Sequence, residues 1–196
     1  MLHQPTMHTT QITLGQAANG HQQIALGGGC FWCVEGVFQR VRGIVGVESG
    51  YCNGHVPNPT YEQVCTGNTG HAEVVVLSFD PTVITTQEIL HIFFDVHDAT
   101  TLNRQGNDVG TQYRSGIYCT TPGQLDVATA VIGDLQSARP ALQGMITTEV
   151  AMLEGYTAGE SYHQNYFENN PSAGYCAYII RPKVDKFTQT HQQFLA

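Results

Sequence analysis

Six cysteines are spread along the 196-residue chain, and one of them stands where a thiol could react. The segment Gly28-Gly29-Cys30-Phe31-Trp32-Cys33 places Cys30 where a strand gives way to a helix. The first N–H groups of a helix have no partner within it, and that end carries partial positive charge, so a thiolate is favoured there. The glycines let the backbone turn sharply and leave the sulfur accessible. Phe31 and Trp32 are adjacent, so they cannot both face the core beneath the helix. At least one must stand beside the thiol as an apolar wall. A free cysteine is otherwise a small buried hydrophobe, and it is the glycines, the helix start and the aromatic pair that tilt the reading towards a nucleophile.

Other chemistry is open to the same residues. Cys30-x-x-Cys33 has the thioredoxin-like spacing, although such motifs usually lack two aromatics between the cysteines. A redox-sensing module would let this pair cycle between dithiol and disulfide. A zinc site wants four ligands, usually from two such pairs, and Cys52, Cys65, Cys119 and Cys176 are singletons.

The elements that must hold Cys30 follow from hydrophobic spacing and turn residues. A strand is predicted over 23–26, stopped by three glycines, and a helix over 30–41, where Phe31, Val34, Val37, Phe38 and Val41 recur at helical spacing. Strands are predicted at 44–51, 73–79, 115–119 and 147–152, with a helical turn at 61–64 and a polar loop at 97–112. Thr85 with Glu88, and Thr121 with Gln124, have capping-box spacing, and Pro122 suits the first position of a helix reaching about 138. A further helix is predicted over 161–168, and no element beyond Pro171. Mixed helices and strands without strict alternation imply an α+β fold, with helices packed on a mixed or antiparallel sheet.

Composition sets the outer bounds. Hydrophobic residues at 41% and charged residues at 12% describe a globular chain, read as a flexible extension over 1–22 and one catalytic domain over 23–196. Eight basic against sixteen acidic residues give a net charge of −8 with His neutral, which argues against nucleic acid or an anionic membrane as main partner. No run approaches the roughly 20 apolar residues of a membrane span, and the polar start is unlike a signal peptide. A cytoplasmic location is the expectation, with the thiols reduced at rest.

Gly29-Cys30-Phe31-Trp32-Cys33 resembles the signature of the methionine sulfoxide reductases of the A type. The likeness continues in order through Gly50-Tyr51, Asn58-Pro59-Thr60-Tyr61, Val64-Cys65-Thr66-Gly67, Thr69-Gly70-His71-Ala72-Glu73 and His97-Asp98. It runs on through Arg104-Gln105-Gly106-Asn107-Asp108, Gly110-Thr111-Gln112-Tyr113-Arg114-Ser115 and His163-Gln164-Asn165-Tyr166, over roughly residues 24 to 176. A dozen short matches in order are far more specific than any one of them.

The resemblance implies a ferredoxin-like, split βαβ core with extra helices and a long coiled C-terminal segment. It implies reduction of the S epimer of methionine sulfoxide, free or in proteins, by a monomer without bound metal, flavin or nucleotide. Cys30 would attack the sulfoxide sulfur and Glu73 would donate a proton to its oxygen. Tyr61 and Tyr113 would hydrogen-bond that oxygen, Asp108 would order the polar side of the pocket, and Phe31 and Trp32 would enclose the substrate methyl. The Cys30 sulfenic acid would condense with Cys176, or alternatively with Cys33, and thioredoxin would reduce the disulfide. The presence of Cys33 is a departure from some relatives and keeps that alternative open. Cys52, Cys65 and Cys119 are read as packing residues, and His71, His97 and His163 as structural hydrogen-bonding groups. The acid role has a physical basis, because a sulfoxide oxygen leaves poorly unless protonated and an apolar setting raises a carboxyl pKa. Without that setting Glu73 would be an ordinary exposed strand-edge carboxylate.

Overall fold

The structure, a computed structural model, describes residues 20–196. The expected extension falls mostly on residues 1–19, outside the described residues, and Gln22 already opens the first strand. Six strands form one sheet: β1 (Gln22–Gly28), β2 (Ile44–Cys52), β3 (Ala72–Phe79), β6 (Ser115–Cys119), β7 (Glu149–Met152) and β8 (Thr157–Ala158). Their order is β7-β6-β1-β3-β2-β8, and only β6 and β7 pair in parallel. β3 is antiparallel to both its neighbours, so β1 and β2 run the same way, joined by α1 (Phe31–Phe38). The chain has an α+β fold with a mixed sheet and packed helices.

The valine run of β3 is explained by burial on both faces. Val75, Leu77 and Phe79 join the core beneath the helices, whereas Val74 and Val76 pack with Ala25, Cys52 and Tyr118 on the other side. The helical layer draws on α1, α3 (Thr86–Val96), α4 (Pro122–Ala138) and α6 (Arg181–Thr190). Among the described residues no helix is long and apolar enough to cross a membrane.

Local chemistry explains where elements start. Thr85 and Glu88 close both halves of the capping box of α3. At α4, Thr121 accepts from the Gln124 N–H, but the Gln124 side chain turns instead to the Thr120 N–H and the Gln23 carbonyl. That exchange stitches the start of α4 to β1 and β6.

Four expectations are corrected. α1 stops at Phe38 rather than 41, because Arg40 and Val41 close i→i−3 bonds and Val41 and Arg42 pair with Leu195 and Phe194. The loop after α3 contains a small hairpin, β4 (Arg104–Gln105) with β5 (Asp108–Val109), followed by a 3₁₀ turn at Thr111–Tyr113. The helix expected over 161–168 breaks into a 3₁₀ turn (Ser161–His163) and α5 (Tyr166–Asn169), separated by Asn165 at φ 54°. The Glu35 carboxylate draws the Asn165 and Tyr166 N–H groups to itself and imposes the break. The C-terminal segment is not coil: a π-helical turn (Cys176–Ile180) leads directly into α6. Only Val184 and Phe187 bury along α6, too few apolar residues to mark a helix in the sequence.

Candidate active site

Cys30 is the N-cap residue of α1, with Gly29 before it at φ +89°. A Cβ at Gly29 would stand 2.5 Å from that of Gln105, so this turn needs glycine both for its torsion and for its space. The Gln105 amide is held in turn by the Asp98 N–H and carbonyl. The sulfur is not as accessible as the glycines suggest, since Cys30 is only 8% exposed.

Glu73 projects from β3, paired with Tyr51 of β2, and is 1% exposed. It is therefore no strand-edge carboxylate, for β3 lies inside the sheet. Its carboxylate accepts the Phe31 N–H at 3.2 Å. Burial raises its pKa to about 8; that hydrogen bond opposes the shift, while the charge of Asp108 adds to it. The acid expected from the sequence is thus neutral at pH 7 and sits against the first N–H of the helix that Cys30 caps.

The Cys30 and Cys33 thiols hydrogen-bond to one another. Burial pushes the Cys30 thiol well above the usual range, with the Cys33 contact and the Glu73 charge acting the same way. The hydrogen bond from Cys30 brings Cys33 down to about 7 against its own burial, and the charge of Lys183 helps. At rest the charge therefore favours Cys33, in the first turn of the helix, over the capping Cys30. For Cys30 itself, desolvation at the cap opposes the thiolate that the helix end would favour.

Tyr61, Tyr113 and Asp108 converge on this point. Tyr61 opens α2 (Tyr61–Cys65), and Glu73 raises the pKa of both tyrosines after their burial does. Phe31 is fully buried among Tyr51, Tyr61 and His163, whereas Trp32 is half-buried and stacks on Tyr166 with ring centroids 3.7 Å apart. The Trp32 Nε1–H donates to His163 Nδ1. Burial lowers the His163 pKa, so the ring is neutral and holds the indole in place. His71 and His97 likewise bond to backbone carbonyls, of Val56 and Phe93.

Four site residues went unread in the sequence. Glu160 accepts both the Tyr51 hydroxyl (2.7 Å) and the Tyr61 N–H (2.8 Å). Glu35, buried in α1 with its pKa raised by desolvation to about 7, holds the 165–166 backbone. The Tyr175 hydroxyl donates to Asp108 at 2.7 Å and contacts both thiols. Lys183, on α6, is felt at Cys33. Only Tyr175 had a signal, its place beside Cys176.

All six thiols are unpaired. Cys176 is buried in the π-helical turn, with Cys33 rather than Cys30 as the thiol that acts on it. Cys52 and Cys119 are buried packing residues, but Cys65 is exposed and hydrogen-bonds to Tyr61, which corrects its reading as a packing residue. A cleft of about 460 Å³, lined by His97, Gln105, Lys183 and Phe187, lies elsewhere; Cys30 and Glu73 do not line it.

The sequence profile of the family described as peptide methionine sulfoxide reductase matches residues 22–195. The chain belongs to that family. Among reductases of this name, one from Ralstonia nicotianae is 52% identical over 84% of this chain and 87% of its own length. Another, from Trichodesmium erythraeum, is 53% identical over 83% and 92%. Among solved structures, the methionine sulfoxide reductase A of Corynebacterium diphtheriae is 38% identical with a TM-score of 0.73, covering 80% of this chain and 77% of that one. The reduced form of Mxr1 from Saccharomyces cerevisiae is 33% identical with a TM-score of 0.75, covering 87% and 96%. Membership makes this chain an oxidoreductase of the methionine sulfoxide reductase type, and the buried thiol pair beside a neutral acid is the part of its structure suited to that chemistry.

Proposed function

We propose that this chain reduces the S epimer of methionine sulfoxide, free or within proteins, to methionine. The observation that carries the reading is Glu73, with a pKa of about 8, bonded to the N–H that follows Cys30. A proton passing from the Cys30 thiol to the Cys33 thiolate along their hydrogen bond moves the charge to Cys30 without exposing either sulfur. The Cys30 thiolate attacks the sulfoxide sulfur while Glu73 protonates the oxygen. Tyr61 and Tyr113 donate hydrogen bonds to that oxygen, Asp108 orders the polar side, and Phe31 and Trp32 enclose the methyl group. The Cys30 sulfur is then bonded to the substrate sulfur, which carries the hydroxyl. The hydroxyl passes to Cys30 as the sulfur–sulfur bond breaks, so methionine departs and Cys30 is left as a sulfenic acid.

A second thiol then attacks the Cys30 sulfur, a disulfide forms and the oxygen leaves as water. We assign this step to Cys33, which hydrogen-bonds Cys30, and place Cys176, whose pKa the Cys33 charge raises, next in line. The disulfide is returned to two thiols by an external dithiol, here read as thioredoxin; the yeast Mxr1 has been solved in complex with Trx2. We read residues 23–196 as one catalytic domain, acting as a cytoplasmic monomer without a cofactor.

Turnover of separated R and S epimers with dithiothreitol, alongside Cys30→Ser, tests the reading, because dithiothreitol bypasses the resolving thiol. Turnover of the S epimer alone, abolished in Cys30→Ser, is the expected result. A folded protein inactive on both epimers would instead point to a dithiol redox module.

A further inference from the structure

We propose that Tyr175 is a positioning residue that latches the C-terminal turn over the thiol pair, and that methionine sulfoxide must lift it to reach Cys30. The proposal rests on reading Cys30 as the reacting thiol.

The Tyr175 hydroxyl has one proton, and it gives that proton to Asp108 Oδ2 at 2.7 Å. The same hydroxyl lies close enough to Cys30 and Cys33 to lower the pKa of both thiols. The ring stands edge-on to Trp32, with centroids 5.8 Å apart at 75°, on an indole that already stacks on Tyr166. Cys30, at 8% exposure, is too enclosed in this state to receive a sulfoxide side chain.

Of the groups closing over the thiols, Phe31 and Glu73 belong to α1 and the sheet and cannot yield locally. Tyr175 can. It follows Gly174, where a Cβ would meet nothing within 4 Å, and it opens a π-helical turn whose Tyr178 is 81% exposed. Single π turns of this kind are frequent at functional sites. The carboxylate that anchors the hydroxyl sits on the two-residue β5. The hydroxyl itself is held by few ties, and because Cys176, fully buried, is the next residue, lifting the turn uncovers both cysteines in one movement. Such a latch would expose the C-terminal thiol only when substrate enters, which protects it from oxidants at rest.

Alkylation of the reduced protein by iodoacetamide, resolved by residue with mass spectrometry, tests the latch in wild type and Tyr175→Phe at one pH. Expected is a several-fold faster modification of Cys30 and Cys176 together, with KM for methionine sulfoxide lowered several-fold and kcat with dithiothreitol not raised. A closed state that excludes substrate weakens apparent binding by its own population, and the variant removes that population. Asp108→Ala, which removes the acceptor, must also speed alkylation of Cys176. Unchanged rates at both cysteines, or a rise at Cys30 alone, would overturn the proposal, the latter because Tyr175 would merely shield one thiol. Alkylation needs no turnover, so a failure of the reductase reading would leave this readout intact.

Discussion

The Phe31 N–H donates to the Glu73 carboxylate at 3.2 Å, tying an acid of the sheet to the first turn of the helix that Cys30 caps. The bond lies between residues 42 apart in sequence and holds the acid beside the turn that carries Cys30. It also opposes the rise in the Glu73 pKa, while burial wins and leaves the group neutral near pH 7. A buried acid and the capping cysteine are thus fixed to one helix end.

If Glu73 supplies the proton, turnover of the S epimer with dithiothreitol should fall as pH rises through about 8, where the acid ionises. Glu73→Gln should lower kcat by about 10²–10⁴, the usual range for general acid catalysis, and remove that limb of the profile. A variant retaining a tenth of wild-type activity would mean that another group donates.

The same shift is a statement about stability. Glu73 binds its proton more tightly in the folded chain than in the unfolded one, so its stabilisation is full below about pH 4.5 and is lost as pH climbs through about 8. Thermal melts of Glu73→Gln and wild type at pH 6.5 and 8.5 should show the variant gaining relative to wild type at the higher pH. Comparing the two proteins cancels the opposite contribution of Cys33, whose thiol is depressed to about 7. A difference independent of pH would mean that the Glu73 carboxyl ionises as in the unfolded chain.

The hydrogen bond between Cys30 and Cys33 predicts which disulfide appears first. One equivalent of methionine sulfoxide, quenched rapidly and mapped by mass spectrometry, should give Cys30–Cys33 before any bond to Cys176. Cys33→Ser should lose at least tenfold more turnover with thioredoxin than with dithiothreitol, where only its part as acceptor of the Cys30 proton is missing. Should Cys30–Cys176 form first, with Cys33→Ser unaffected, Cys176 would be the resolving thiol, as the family resemblance implies.

Glu160 carries the Tyr51 hydroxyl and the Tyr61 backbone at once. Glu160→Ala would leave the buried Tyr51 hydroxyl without an acceptor and should cost about 1–3 kcal/mol in urea unfolding. It should also raise KM by loosening Tyr61. A loss below about 0.5 kcal/mol would mean that water replaces the carboxylate at that hydroxyl.

Much of the site was legible because it is written locally. Helix caps, glycine turns and the Cys30 motif depend on residues within a few positions of one another, and α3, β3 and α4 appear where their patterns place them. The acid role of Glu73 came from the family resemblance, since its own neighbourhood in the sequence allowed an exposed strand-edge carboxylate equally. What the sequence could not carry are contacts between distant segments. The break at Asn165 is imposed by Glu35, 130 residues away, and the end of α1 by backbone bonds to the C-terminus. α6 has too few apolar residues to announce itself and is held by burying Val184 and Phe187 against the rest of the core. The sequence by itself determined the family, the α+β class and the residues able to do the chemistry. Only the tertiary structure decided that Cys30 is enclosed, that Cys33 is the thiol it touches and that Tyr175 lies across them. Solvation and hydrogen bonding at a buried site come from every segment that closes over it, and no local stretch of sequence contains them all.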